Sequence, residues 1–99
     1  MSPRRAAERV LEALDRLADR SRPGARVEDF ETELRRALAR EAAVLGVAED
    51  ALLQEVVAAA AAYGWELQPD PRRIAERWRE YHALQRWTEE LHDALEDVD

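Results

Sequence analysis

Apolar residues recur at helical spacing along nearly the whole chain. Ala7, Val10, Leu11, Leu14, Leu17 and Ala18 are three or four positions apart, with arginines and acids mainly between them. That rhythm marks a helix burying one stripe. Ser2-Pro3 ahead of it supplies a capping hydroxyl and a proline suited to the first helical position, so the pattern predicts a helix over about 3–20. Ser21-Arg22-Pro23-Gly24 then interrupts it, because proline and glycine together punctuate a helix.

A second stripe of Phe30, Leu34, Ala37, Leu38, Val44 and Leu45 predicts a helix over about 28–45, its first turn crowded with Glu28, Asp29, Glu31 and Glu33, where the dipole favours negative charge. Gly46 can close it in a left-handed conformation with Val47 folding back. A third helix, about 49–63, starts at Glu49 and Asp50 and has Leu52, Leu53, Val56, Val57, Ala60 and Tyr63 as its inner face. Gly64-Trp65 repeats the glycine-then-apolar ending. Within this helix Ala58 to Ala62 is a run of small residues, suited either to ordinary close packing or to a shallow groove for a partner.

Asp70-Pro71 reads as a cap followed by a first-turn proline, and the periodicity predicts a last helix over about 71–97. At 1.5 Å per residue it would run about 40 Å, against about 23–27 Å for the others. A rod that outreaches its neighbours would expose the apolar positions of its far half, Trp87, Leu91, Leu95 and Val98. We therefore expect a single all-α domain over 1–99, a four-helix bundle-like arrangement with a long C-terminal helix that assembles as a homodimer. Trp78, Tyr81, Trp87, Leu91 and Leu95 are the candidate interface residues.

Composition narrows this further. Hydrophobic residues are 46% of the chain, but 19 of them are alanine, so a modest set of larger side chains must form the core. Alanine, leucine, glutamate and arginine dominate, and the β-branched residues are few, which argues against a sheet-rich fold. The absence of cysteine removes disulfides and thiolate chemistry. No apolar run has the length of a membrane span or a signal core, so a soluble cytoplasmic protein with no membrane association is the expectation.

Charge is uneven. Residues 3–26 carry seven arginines and four acids, a balance of +3, whereas residues 28–70 carry three arginines and ten acids, a balance of −7. The last helix has five arginines up to Arg86 and only acids after Thr88, which would let it pair antiparallel with its own copy. The net charge of −7 suits a basic protein partner, for which Glu49, Asp50, Glu55 and Glu66 are candidate contacts. Nucleic acid fits poorly. The stretch from Ala42 through Val47 to Leu52 resembles a helix-turn-helix pattern, but Glu49, Asp50 and Glu55 in the would-be reading helix would repel phosphate. The remaining nucleic-acid option is the first helix, with Arg4, Arg5, Arg9, Arg16 and Arg20 interleaved with four acids.

Catalytic patterns are sparse. Arg77 with His82, and Arg86 with His92, resemble the Arg–His active site of HEPN-type metal-independent ribonucleases, in which histidine moves a proton and arginine steadies phosphate. That resemblance implies RNA cleavage by Arg77 and His82 as the alternative function. The position after the arginine, usually polar in that family, is Trp78 or Trp87 here. Glu89 with His92 resembles half of a bundle di-metal site, but His82 has Arg79 where the second half needs a glutamate. Glu28 with Glu31, and Glu90 with Asp93, resemble the magnesium pairs of all-α nucleotide pyrophosphohydrolases, at a far wider separation. No cofactor, metal or catalytic residue is assigned on these grounds. The leading expectation is a non-enzymatic interaction or regulatory protein, an adaptor, small subunit, immunity-like or anti-factor protein with an acidic helical surface.

Overall fold

The computed structural model describes residues 2–20 and 26–96, and within them all side chains except those of 84–90 and 92. The regular structure of the described residues is all helical, α1 (Pro3–Arg20), α2 (Val27–Leu45), α3 (Glu49–Ala61) and α4 (Pro71–Glu96), packed on one another without strands. None of these helices is long and apolar enough to cross a membrane. The punctuating segment 21–25 lies outside the described residues.

The helix ends follow from local chemistry. Ser2 Oγ accepts the Arg5 amide at 3.1 Å, and Asp70 Oδ1 accepts the Arg72 amide at 2.9 Å. Each side chain satisfies a first-turn donor that the helix itself leaves unpaired. At the start of α2 the Asp29 carboxylate reaches back to accept the Arg26 amide. Gly46, at φ 71°, ends α2 in the left-handed region. It lets the Val47 amide donate to the Ala42 carbonyl at 3.1 Å and the Gly46 amide to Ala43 at 3.3 Å. Gly64, at φ 87°, repeats the motif: the Trp65 amide donates to Ala60 at 3.1 Å. The α3 helix itself stops at Ala61, two residues short of the sequence expectation, because this closing turn begins at Ala62.

One core joins the helices. Val10 and Leu14 of α1, Phe30 and Leu34 of α2, Leu52 and Val56 of α3, and Ile74 of α4 are buried together. The packing places α1 against both α2 and α3, and α4 mainly against α2; α1 and α4 touch little. Two positions depart from the expected inner faces. Val44 is 65% exposed and Tyr63 is 73% exposed. Both lie at helix ends, where the neighbouring helix no longer covers the stripe. The alanine run is divided in the same way, with Ala59 and Ala60 buried and Ala58, Ala61 and Ala62 exposed.

The interior also holds one carboxylate. Glu41 of α2 is buried, and its Oε1 accepts from Arg9 Nε of α1 at 2.8 Å, with Arg40 Nε 3.8 Å away. A carboxylate so placed is tolerable only because a cation is bonded to it.

Candidate functional site: an acidic and aromatic cleft

Because α1 and α4 diverge, a cleft of about 290 Å³ opens between them over the end of α3. Glu8, Glu12 and Asp15 form one wall. Their spacing of four and three residues puts them on a single face of α1. Leu11 and Ala60 also line the cleft, and Tyr63, Trp65, Trp78 and Tyr81 bring four rings to it.

The rings are held by local geometry. The turn at Gly64 presents Trp65 to α4, where Trp78 and Tyr81 lie three residues apart on one face. The Trp65 ring centre is 4.8 Å from that of Trp78, tilted by 41°, and 4.6 Å from that of Tyr81 in an edge-on contact at 70°. Such arrangements match the ring quadrupoles and add roughly 0.5–1.5 kcal/mol per pair beyond area burial. The Arg77 guanidinium lies 5.9 Å from the centre of the Trp65 ring. Its other neighbour is Glu80, at 3.9 Å.

The acidic wall is partly neutralised from outside. Arg5 bonds Glu8 at 3.3 Å and Glu12 at 3.1 Å, and Arg4 approaches Glu8 at 3.8 Å. Hydrogen bonds to Glu12 and then Glu8 hold the Arg5 guanidinium above its ordinary pKa. For Asp15 the balance is different. Asp15 is exposed, but partial desolvation at the cleft wall, and then repulsion from Asp19, push its carboxyl up, while the nearby Trp78 indole N–H pulls it down.

The structure places the expected interface residues in different settings. Trp78 is only 7% exposed and belongs to the chain's own core, so little of its surface remains for a second molecule. Tyr81 stands at the rim of the cleft. Leu91 and Leu95 are exposed on the far part of α4. The side chain of Trp87 lies outside those described, as do those of Arg86, Glu89, Glu90 and His92; Val98 lies beyond the described residues. Glu49, Asp50 and Glu66 are exposed and Glu55 is half-buried, and none of them lines the cleft.

Arg77 and His82 are not brought together. Five residues of helix turn them about 140° apart. Arg77 lies over Trp65, and the His82 ring faces Phe30 of α2 at 6.5 Å. His82 Nε2 is buried and has no hydrogen-bond partner among the described residues. Glu28 and Glu31 are held by arginines, Glu28 by Arg26 and Arg72 at 3.4 Å each and Glu31 by Arg35 at 3.7 Å. No group of three or more metal-ligating side chains converges among the described residues. On α1, Arg4, Arg5 and Arg9 are bonded to carboxylates of this chain. Arg20 turns back to donate to the Arg16 carbonyl at 3.3 Å.

Sequence reasoning missed the acidic wall. The spacing of Glu8, Glu12 and Asp15 beside Leu11 was readable, but nothing in it says that aromatic rings from residues 63–81 lie opposite. Comparison with protein-family models, with curated proteins and with solved structures finds no match for this chain.

Proposed function

We propose that this chain is an interaction protein without catalysis of its own: a bundle-like cytoplasmic unit whose long last helix joins a second copy and whose acidic surface receives a basic partner. The observation that carries this reading is the state of the far part of α4. Leu91 and Leu95, one turn apart, are 45% and 64% exposed, and every described side chain from Leu91 to Glu96 is exposed. At 1.5 Å per residue the 26 residues of α4 correspond to about 39 Å, against about 20–29 Å for the other helices.

The magnitude limits what those leucines do alone. Full burial of a leucine is worth about 1.5–3 kcal/mol, so the exposed fractions of both leucines on two chains supply about 3–6 kcal/mol. Association costs at least about 4 kcal/mol, so further apolar surface has to take part. Trp87, four residues ahead of Leu91 in sequence, is the natural contributor. The charge pattern of α4 favours an antiparallel arrangement of two copies.

The test is mass in solution by light scattering. At about 100 µM, well above a micromolar dissociation constant, the protein should have the mass of two 11.4 kDa chains. Leu91→Glu with Leu95→Glu should shift it to one chain with unchanged helicity. A single-chain mass for the unmodified protein at that concentration overturns the assembly reading.

A further inference from the structure

We propose that the cleft between α1 and α4 is a subsite for a guanidinium group, an arginine side chain presented by the basic partner. The inference rests on the interaction reading above and names where the cationic contact is made.

Size limits the guest. At about 290 Å³ the cleft lies at the floor of the roughly 300–1,000 Å³ typical of small-molecule sites, so it admits one side chain and not a larger ligand. Its chemistry selects a flat cation. Tyr63 and Tyr81 offer exposed rings, at 73% and 41%, beside Trp65. The chain's own Arg77 already places a guanidinium 5.9 Å from the Trp65 ring centre, so this cluster accepts a planar cation at cation–π distance. Opposite the rings stand Glu8, Glu12 and Asp15.

The three carboxylates are not equally engaged. Arg5 bridges Glu8 and Glu12 from an exposed position, where ion pairs contribute little and exchange readily. Asp15 lines the cleft beside the uncharged Trp78, no ion pair to it is found among the described residues, and its charged neighbours are the acids Asp19 and Glu12. A guest cation would therefore meet one carboxylate that lacks a described cationic partner. Arginine fits better than lysine. Its guanidinium stacks on aromatic faces, is less strongly hydrated than an ammonium, and can bond a carboxylate through two parallel N–H groups.

The experiment titrates the full chain with a capped glycyl-arginyl-glycine peptide and follows the indole N–H resonances of the three tryptophans. The Trp65 and Trp78 signals should move saturably, with a dissociation constant in the millimolar range expected for one side chain, on the order of 1–10 mM. The citrulline peptide, neutral and of the same shape, should bind about tenfold more weakly, and Asp15→Asn should weaken the arginine peptide about tenfold. Tyr81→Ala should weaken it severalfold, while Glu55→Gln should leave it unchanged. Equal binding of the citrulline peptide, or an Asp15→Asn protein that binds like the unmodified one, overturns the subsite. If an arginine-rich peptide shifts resonances around Glu49 and Glu66 and leaves the indoles still, the subsite fails and the interaction reading survives. If no basic peptide perturbs any resonance, the subsite and the basic-partner part of the interaction reading both fall, and the assembly part stands or falls on the mass in solution.

Discussion

Arg9→Ala should cost far more than the loss of any other arginine on α1, because of what it leaves behind. Glu41 Oε1 accepts from Arg9 at 2.8 Å, and the Glu41 side chain is 2% exposed. Breaking a buried pair by removing one partner costs about 3–5 kcal/mol, most of it the penalty of the stranded charge. Two features reduce that figure. The Arg9 side chain is 47% exposed, so water can reach the space it vacates, and Arg40 remains 3.8 Å from the same oxygen. About 1.5–2.5 kcal/mol is left, which lowers the melting temperature by roughly 6–20 °C for a domain of this size. The control is Arg4→Ala, whose pair with the half-buried Glu8 is open to water at 3.8 Å and should cost at most about 0.5 kcal/mol. Urea and thermal unfolding followed by circular dichroism measure both. The double variant Arg9→Ala with Glu41→Leu, which removes donor and charge together, should recover most of the loss. Equal costs for Arg9→Ala and Arg4→Ala would refute the argument that Glu41 is held in the interior by its partner.

Three further outcomes are expected. Gly46→Ala meets no atom within 4 Å, so its cost is the left-handed backbone alone; a loss of about 1 kcal/mol in urea unfolding is expected, and no loss would sink the closing-turn account. Asp15, though exposed, is held above its ordinary pKa by partial desolvation and then by its acidic neighbour Asp19, so its ionised form penalises the fold above the folded-state pKa, and the penalty disappears as pH falls below the unfolded value. Asp15→Asn should therefore raise the melting temperature at neutral pH and lose that advantage in acid. Glu28 is shifted the opposite way, lowered first by its own backbone amide at the start of α2 and then by Arg72. Its contribution is present above the unfolded pKa and is lost as pH falls through the folded one, so Glu28→Gln should flatten the acid limb of the stability profile; an unchanged limb argues against those bonds in solution.

Helix content and helix ends were legible because their causes are local. Ser2 and Asp70 cap through bonds spanning two or three residues, and Gly46 and Gly64 end their helices by conformations no other residue adopts cheaply. The stripes of α1 and α2 were readable for the same reason, since 3.6-residue periodicity is a property of the chain and not of its neighbours. Val44 and Tyr63 show where that ends: a position can lie on the apolar face and still be exposed if the next helix stops short of it.

The cleft belongs to tertiary structure alone. No pattern in the sequence ranks α1 against α2 and α3 above α1 against α4, yet that choice leaves the gap in which Glu8, Glu12 and Asp15 face Trp65 and Tyr81. The same choice turned Trp78 inward, although its sequence context suited an outward contact. It also gave the buried Glu41, one acid among 22, a cationic partner 32 positions away. Local sequence specifies which face of each helix is apolar; the competition among those faces for burial, settled only when all the helices are present, decides which side chains meet.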